Sequence, residues 1–154
     1  MHYTSRNDTL GFAHRTRKNL EHIEHAYKNG HDVHVVTQLV LSLLGLIVYP
    51  NERKLVERVN TLTLSELKDQ GWPSWKIELG SPETLNQLIK MLRNAVAHGR
   101  IHFSSDDRVL DHVSIQFEDY DPRSKIVTWR ATITSNDLEK FCQNFIKLIE
   151  NEIG

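Results

Sequence analysis

Little in this sequence ties it to a membrane, an oxidising compartment or a bulk polyanion. It has a single cysteine, Cys142, which excludes an internal disulfide framework and suits a reducing compartment. Its formal net charge is -1, so no global field draws it to nucleic acid, and any such contact needs a local basic patch. The opening Met1-His2-Tyr3-Thr4-Ser5-Arg6 runs into polar sequence without the apolar core of a secretory leader, so a cytoplasmic protein is expected. The most apolar run, Val33 to Tyr49, is broken by His34, Thr37, Gln38 and Ser42 and stopped by Pro50. That falls short of the roughly 20 apolar residues a spanning helix needs. It reads as a central buried helix, with no membrane partner. Internal repeats, low-complexity tracts and long linkers are also missing.

What is present suits one globular domain over 1–154. Hydrophobic residues at 39% and charged residues at 25% are enough to build a core and keep a polar surface. Thr16 to Asn29 carries Leu20, Ile23, Ala26 and Tyr27 at helical spacing, with Gly30 as a stop. Asp32 is placed to cap the second helix, through Tyr49, and Asn51 to Asn60 reads as a short continuation. Thr63 and Glu66 have capping-box spacing, predicting a turn or two over Leu64–Gln70, and Gly71-Trp72-Pro73-Ser74-Trp75 is a loop. Ser81-Pro82 predicts a further helix start. Leu85, Leu88, Ile89, Leu92 and Val96 form that helix's core stripe, and Gly99 ends it.

Beyond Gly99 the period changes from helical to alternating. Val113, Ile115 and Phe117 alternate, as do Val127, Trp129 and Ala131, and Asp121-Pro122-Arg123-Ser124 between them is turn chemistry. Arg100 to Phe103 is a candidate third strand. Ser135 is placed to cap a last helix with the stripe Leu138, Phe141, Cys142, Phe145, Leu148 and Ile149. The expected fold is mainly α: a helical core over 9–99, a small antiparallel hairpin or three-stranded sheet inserted over 100–133, and a final helix over 135–153.

The chemistry-bearing segment is Leu92-Arg93-Asn94-Ala95-Val96-Ala97-His98-Gly99. On a wheel of about 100° per residue with the stripe near 0°, Arg93 falls at roughly 80°, Ala97 near 120°, Asn94 near 180° and His98 near 220°. These four share the face turned from the core, together with Lys90. A guanidinium stabilises charge building on phosphate oxygens. An imidazole can take or give a proton at neutral pH. Asn94 can position a hydroxyl, a phosphate oxygen or the imidazole. A scheme of this kind would take RNA as its natural substrate, because the 2′-hydroxyl of RNA is an internal nucleophile. This scheme calls for no metal-ligand cluster and no cofactor. Lys90, Arg93 and Arg100, with Arg15, Arg17 and Lys18 as further candidates, could form the basic patch for the RNA backbone.

The run RNAVAHG resembles the Arg-x(4–6)-His motif of HEPN domains, helical bundles common in bacterial toxins and defence systems. The second helix, ending LLGLIVYP, is similar to a plasmid-associated branch of that family. The resemblance covers roughly residues 9 to 105 and leaves the hairpin and last helix unmatched. It implies Arg93 and His98 as catalytic residues and Asn94 as their polar neighbour. It further implies metal-independent RNA cleavage at a site shared by two copies of a homodimer. An antitoxin or other regulatory protein is a possible partner.

Other features have plainer readings. His22 and His25, flanked by Glu21 and Glu24, and the pair His31 and His34 invite a metal reading. No second helix supplies a matching Glu-x-x-His, so no metal site is expected. Trp72 and Trp75 could stack on bases, but read better as loop anchors or interface residues. Cys142 lies on a core stripe and reads as a small buried hydrophobe. The alternative to an enzyme is a catalytically inactive RNA- or protein-binding or dimerisation module in which the motif face is only an interface.

Overall fold

A computed structural model describes residues 5–52 and 61–153. Helix α1 spans Ser5–Lys28 and so begins well before Thr16. Leu10, Ala13, Thr16 and Leu20 are all buried or half-buried, so Thr16 is a polar member of one continuous stripe and not its start. Helix α2 (Val35–Glu52) starts from His34, whose Nδ1 accepts the Thr37 backbone N–H at 3.3 Å. Asp32 does not cap it, because its carboxylate is drawn into an ion pair with Arg108, which holds Asp32 below the usual carboxylate pKa. The helix runs past Pro50 to Glu52. The rest of the continuation expected over Asn51–Asn60 lies outside the described residues. Among those residues no helix is long and apolar enough to cross a membrane.

Helix α3 (Leu64–Asp69) has the expected capping box. Thr63 Oγ1 accepts from the Glu66 N–H at 3.1 Å, and Glu66 Oε2 accepts from the Thr63 N–H at 2.8 Å. After the Trp72–Trp75 loop comes strand β1 (Lys76–Leu79), a strand within the stretch expected to be only helical. Helix α4 (Leu85–Ala97) is capped by Thr84 and not by Ser81. Thr84 Oγ1 accepts from the Gln87 N–H at 3.2 Å, and Gln87 Oε1 accepts from the Glu83 N–H at 2.7 Å. The chain is kept extended up to Thr84 because Leu64 N–H and Leu85 N–H donate to the carbonyls of Glu83 and Leu62, both at 2.9 Å. An extended residue with a hydroxyl is what an N-cap requires.

Strand β2 (Ile101–Phe103), a short 3₁₀ turn (Leu110–His112), β3 (Ser114–Tyr120), β4 (Val127–Thr134) and α5 (Ser135–Ile153) complete the chain. The cap of α5 is Thr134, whose Oγ1 accepts from the Asp137 N–H at 3.1 Å. Ser135 instead donates its hydroxyl to the buried Val113 carbonyl at 2.9 Å. The sheet is antiparallel with order β1-β4-β3-β2. The expected hairpin and third strand are its centre and one edge, and β1 adds the other. Ile115, Phe117, Trp129, Ala131 and Ile133 form its buried face, as period-2 alternation requires.

Helices α1, α2 and α5 pack on one another, and α4 packs against both α2 and β3. Trp72 and Trp75 are anchors: Trp72 meets Phe141 edge-on at 5.5 Å, and Trp75 meets Phe117 and Phe141 at 5.6 and 5.4 Å. Cys142 is fully buried, and burial pushes its thiol pKa up. Where α1 meets α5, burial raises Glu139 to a pKa of about 7, helped by a hydrogen bond and like charge from Glu24.

Two expectations follow. Thr84→Ala should lower stability in urea by about 0.5–2 kcal/mol, whereas Ser81→Ala should leave it nearly unchanged; equal effects would misplace the start of α4. Folded Glu139 keeps its proton to about pH 7 and unfolded Glu139 only to about 4.5, so the folded state binds more protons between them. The stability from this carboxyl is therefore lost as pH rises through that window. Denaturation of wild type and Glu139→Gln at about pH 5 and about pH 8 should show the variant gaining relative stability at the higher pH; a constant difference would reject the raised pKa.

Candidate active site

The expected site residues close α4 and lead into β2. Leu85, Leu88, Ile89, Leu92 and Ala95 are buried, while Val96 is only partly so. The stripe thus leans to the Ala95 side, where a small side chain lets the helix lie close to its neighbours. Lys90, Ala97 and His98 are exposed, and Arg93 and Asn94 are half-buried. Helix geometry separates Arg93 and His98 by about 7.5 Å along the axis, a gap an arginine can span.

The end of α4 is a Schellman turn centred on the motif. His98 is the C-cap residue. Gly99 N–H donates to the Val96 carbonyl at 3.1 Å, and Arg100 N–H donates to the Ala95 carbonyl at 2.8 Å. This pairing puts Gly99 at φ 66, a left-handed conformation that glycine adopts without steric cost. The chain reverses directly after His98, leaving the imidazole on an exposed helix end. One residue later the Arg100 carbonyl accepts from the Glu118 N–H at 3.1 Å, which starts the β2–β3 ladder.

This connection brings the motif against side chains of the hairpin. Asn94 Nδ2 donates to Asp119 Oδ2 at 3.2 Å, so Asn94 is engaged by the sheet and does not simply face away from the core. Arg100 Nη1 lies 3.7 Å from Asp119 Oδ1, and its guanidinium carbon sits 4.0 Å from the centre of the Tyr120 ring. Tyr120 donates its hydroxyl to Glu118 Oε2 at 2.8 Å, and Arg130 Nε donates to Glu118 Oε1 at 2.9 Å. Burial opposes the charge on Glu118, but the Tyr120 and Arg130 hydrogen bonds outweigh it and hold the carboxyl below its usual pKa. The same bond to Glu118 raises the Tyr120 hydroxyl. Arg100 is thus a restrained and partly neutralised cation, while Lys90 is an exposed one.

The family model described as HEPN pEK499 p136 matches residues 1–154. The chain belongs to the HEPN family, in a plasmid-associated branch. The match takes in the hairpin and α5, beyond the stretch where the sequence resemblance was traced. Neither a curated protein nor a solved structure matches the chain.

Other candidates fall elsewhere in this HEPN fold. Arg17 pairs with Glu150 of α5, and Arg15 and Lys18 lie exposed on the same helix α1. His34 serves the start of α2. Among the described residues no three His, Cys, Asp or Glu side chains gather as metal ligands would. Asp119, Tyr120, Glu118 and Arg130 were missed by sequence reasoning. Glu118 opposes Arg130 across the hairpin, but a register shift between Asp119 and Tyr120 upsets counting outward from the turn. The one usable signal was the polar run Glu118-Asp119-Tyr120 at the end of an alternating strand.

Gly99→Ala should cost about 1–2 kcal/mol, the penalty for an L-residue in the left-handed region. Gly99→Asn should cost less. Thermal or urea unfolding checks both, and a fully stable alanine variant would mean that the turn does not hold the end of α4.

Proposed function

We propose that this HEPN protein is a metal-independent endoribonuclease of the toxin or defence kind, cytoplasmic and working as a homodimer. The observation that carries this reading is the grouping of Arg93, Asn94 and an exposed His98 at the C-terminal end of one helix, with Ala97 exposed between them. In this reading the 2′-hydroxyl of RNA attacks the adjacent phosphorus. The new 2′-O–P bond forms, the P–O5′ bond breaks, and the products are a 2′,3′-cyclic phosphate and a 5′-hydroxyl. Arg93 holds the phosphate oxygens, where charge builds in the transition state. Asn94 orients the reacting groups, and Lys90 and Arg100 hold the RNA backbone.

Two proton transfers are needed, one from the 2′-hydroxyl and one to the departing 5′-oxygen. In this reading His98 serves one of them. A composite site supplies the second, with His98 as one partner of the pair and the partner subunit's His98 as the other. An antitoxin or other regulatory protein covering this face would then silence the enzyme.

A second reading keeps the fold and drops the reaction. Asn94 and Arg100 both contact Asp119, which suits a preformed RNA- or protein-binding or dimerisation face. Cleavage of a defined RNA in the presence of chelator separates the two. The wild type should cut and leave cyclic phosphate ends, while His98→Ala should lose about 10²-fold or more in rate and keep its dimer mass. Loss of the dimer in His98→Ala, or a folded wild type that binds RNA without cutting it, would favour the binding module. A monomeric wild type at micromolar concentration would remove the composite site.

A further inference from the structure

Asp119 stands out because it joins two residues of the proposed site that come from different elements. It lies on β3, 25 residues from Asn94 in sequence, and only 17% of its side chain is exposed. Its Oδ2 takes the Asn94 amide at 3.2 Å. Its Oδ1 takes the Tyr120 backbone N–H at 2.9 Å and faces Arg100 Nη1 at 3.7 Å. The Arg100 guanidinium also lies over the Tyr120 ring. One carboxylate thus meets an amide of the motif helix, the N–H that follows it on its own strand, and the cation that follows the motif turn.

We propose that Asp119 is a positioning residue of the RNA site, fixing the Asn94 amide and the Arg100 guanidinium relative to His98. This rests on the ribonuclease reading and deepens it. A carboxylate can only accept, so the Asn94 NH₂ must face Asp119 and the Oδ1 must face away from it. The amide therefore presents its carbonyl oxygen to a neighbouring donor. Among the donors of the proposed site, the two that take part in proton transfer are the 2′-hydroxyl of the substrate and the imidazole N–H, and either would be oriented by this oxygen. Without Asp119 the amide can turn over and offer N–H in place of oxygen. Arg100, without its counter-charge, would keep only the aromatic face of Tyr120 and would sample more positions. A phosphate-binding cation held in advance loses less freedom on binding than a mobile one.

A positioning residue and a merely structural one differ in how their effects combine. If Asp119 acts through Asn94, Asp119→Ala and Asn94→Ala should each lower kcat by about ten- to a hundredfold. The double variant should then be little worse than the single ones. Asp119→Asn keeps the volume and one acceptor, so it should recover part of kcat while raising KM through the lost pairing with Arg100. Unfolding midpoints of all variants, measured alongside, confirm that folded protein is being compared. Multiplying effects in the double variant, or wild-type kinetics in Asp119→Ala, would overturn the proposal.

Binding of the uncleaved RNA itself, with a 2′-deoxy-substituted oligonucleotide beside it as the control that lacks the 2′-hydroxyl, keeps this result apart from the fate of the ribonuclease reading. Suppose the wild type binds the RNA without cleaving it. A shared, non-multiplying loss of affinity in Asp119→Ala and Asn94→Ala would then retain Asp119 as the positioning residue of a binding site and discard the reaction. Affinity unchanged by Asp119→Ala in that case would discard both, as would a wild type that neither cuts nor binds RNA.

Discussion

Helix α4 is held by two elements, and the rest of the structure is arranged around that burial. Leu85, Leu88, Leu92 and Ala95 are all fully removed from solvent, and α4 packs against both α2 and β3. Burying side chains of this kind is worth about 1.5–3 kcal/mol each for the larger ones, the main force available to a chain with no disulfide. The consequence is geometric as well as energetic. A helix clamped along its stripe has its remaining face set in space, and that face carries Lys90, Arg93, Ala97 and His98. Trp75 of the preceding loop reinforces the clamp indirectly, by packing against both Phe117 of the sheet and Phe141 of α5, with Trp72 also against Phe141.

The sheet is more than a cover for the bundle. Because the turn at Gly99 delivers the chain into β2 at Ile101, directly after Arg100, the motif leads straight into the edge strand of the sheet. Polar side chains of β3 and β4 beside it form a chain of contacts from Asn94 through Asp119 and Arg100 to Tyr120, Glu118 and Arg130. Its buried member, Glu118, is tolerated because both of its oxygens have partners. A family match that extends over the hairpin and α5 agrees with a fold in which these elements complete the motif's surroundings.

Long periodic segments were readable from the sequence because burial imposes their period. The α4 stripe, the alternation of β3 and β4 and the α5 stripe all follow from one face being dry and the other wet, while the turn at Asp121 follows from a carboxylate that accepts the Arg123 and Ser124 N–H groups. Glycine at position 99 was readable for a different reason, the steric cost of a left-handed residue. Helix starts were less legible. Asp32, Ser81 and Ser135 all have the chemistry of a cap, but Arg108, the pairing of Leu62–Leu64 with Glu83–Leu85, and the Val113 carbonyl claimed or displaced them. Strand β1 was missed because its four residues are mostly exposed and acquire their identity only by pairing with β4.

The sequence by itself determined where the candidate residues stand, on which helix and at what spacing. Arginine, asparagine and histidine at that spacing, ended by His-Gly, are local facts of residue type and helical period. Only the tertiary structure decided what meets them. Asp119 is distant in sequence, and its approach to Asn94 and Arg100 depends on the packing of α4 on β3, on the β2–β3 register and on the irregularity beside Tyr120. Those are long-range contacts, set by how whole elements bury their apolar faces, and no local pattern encodes them.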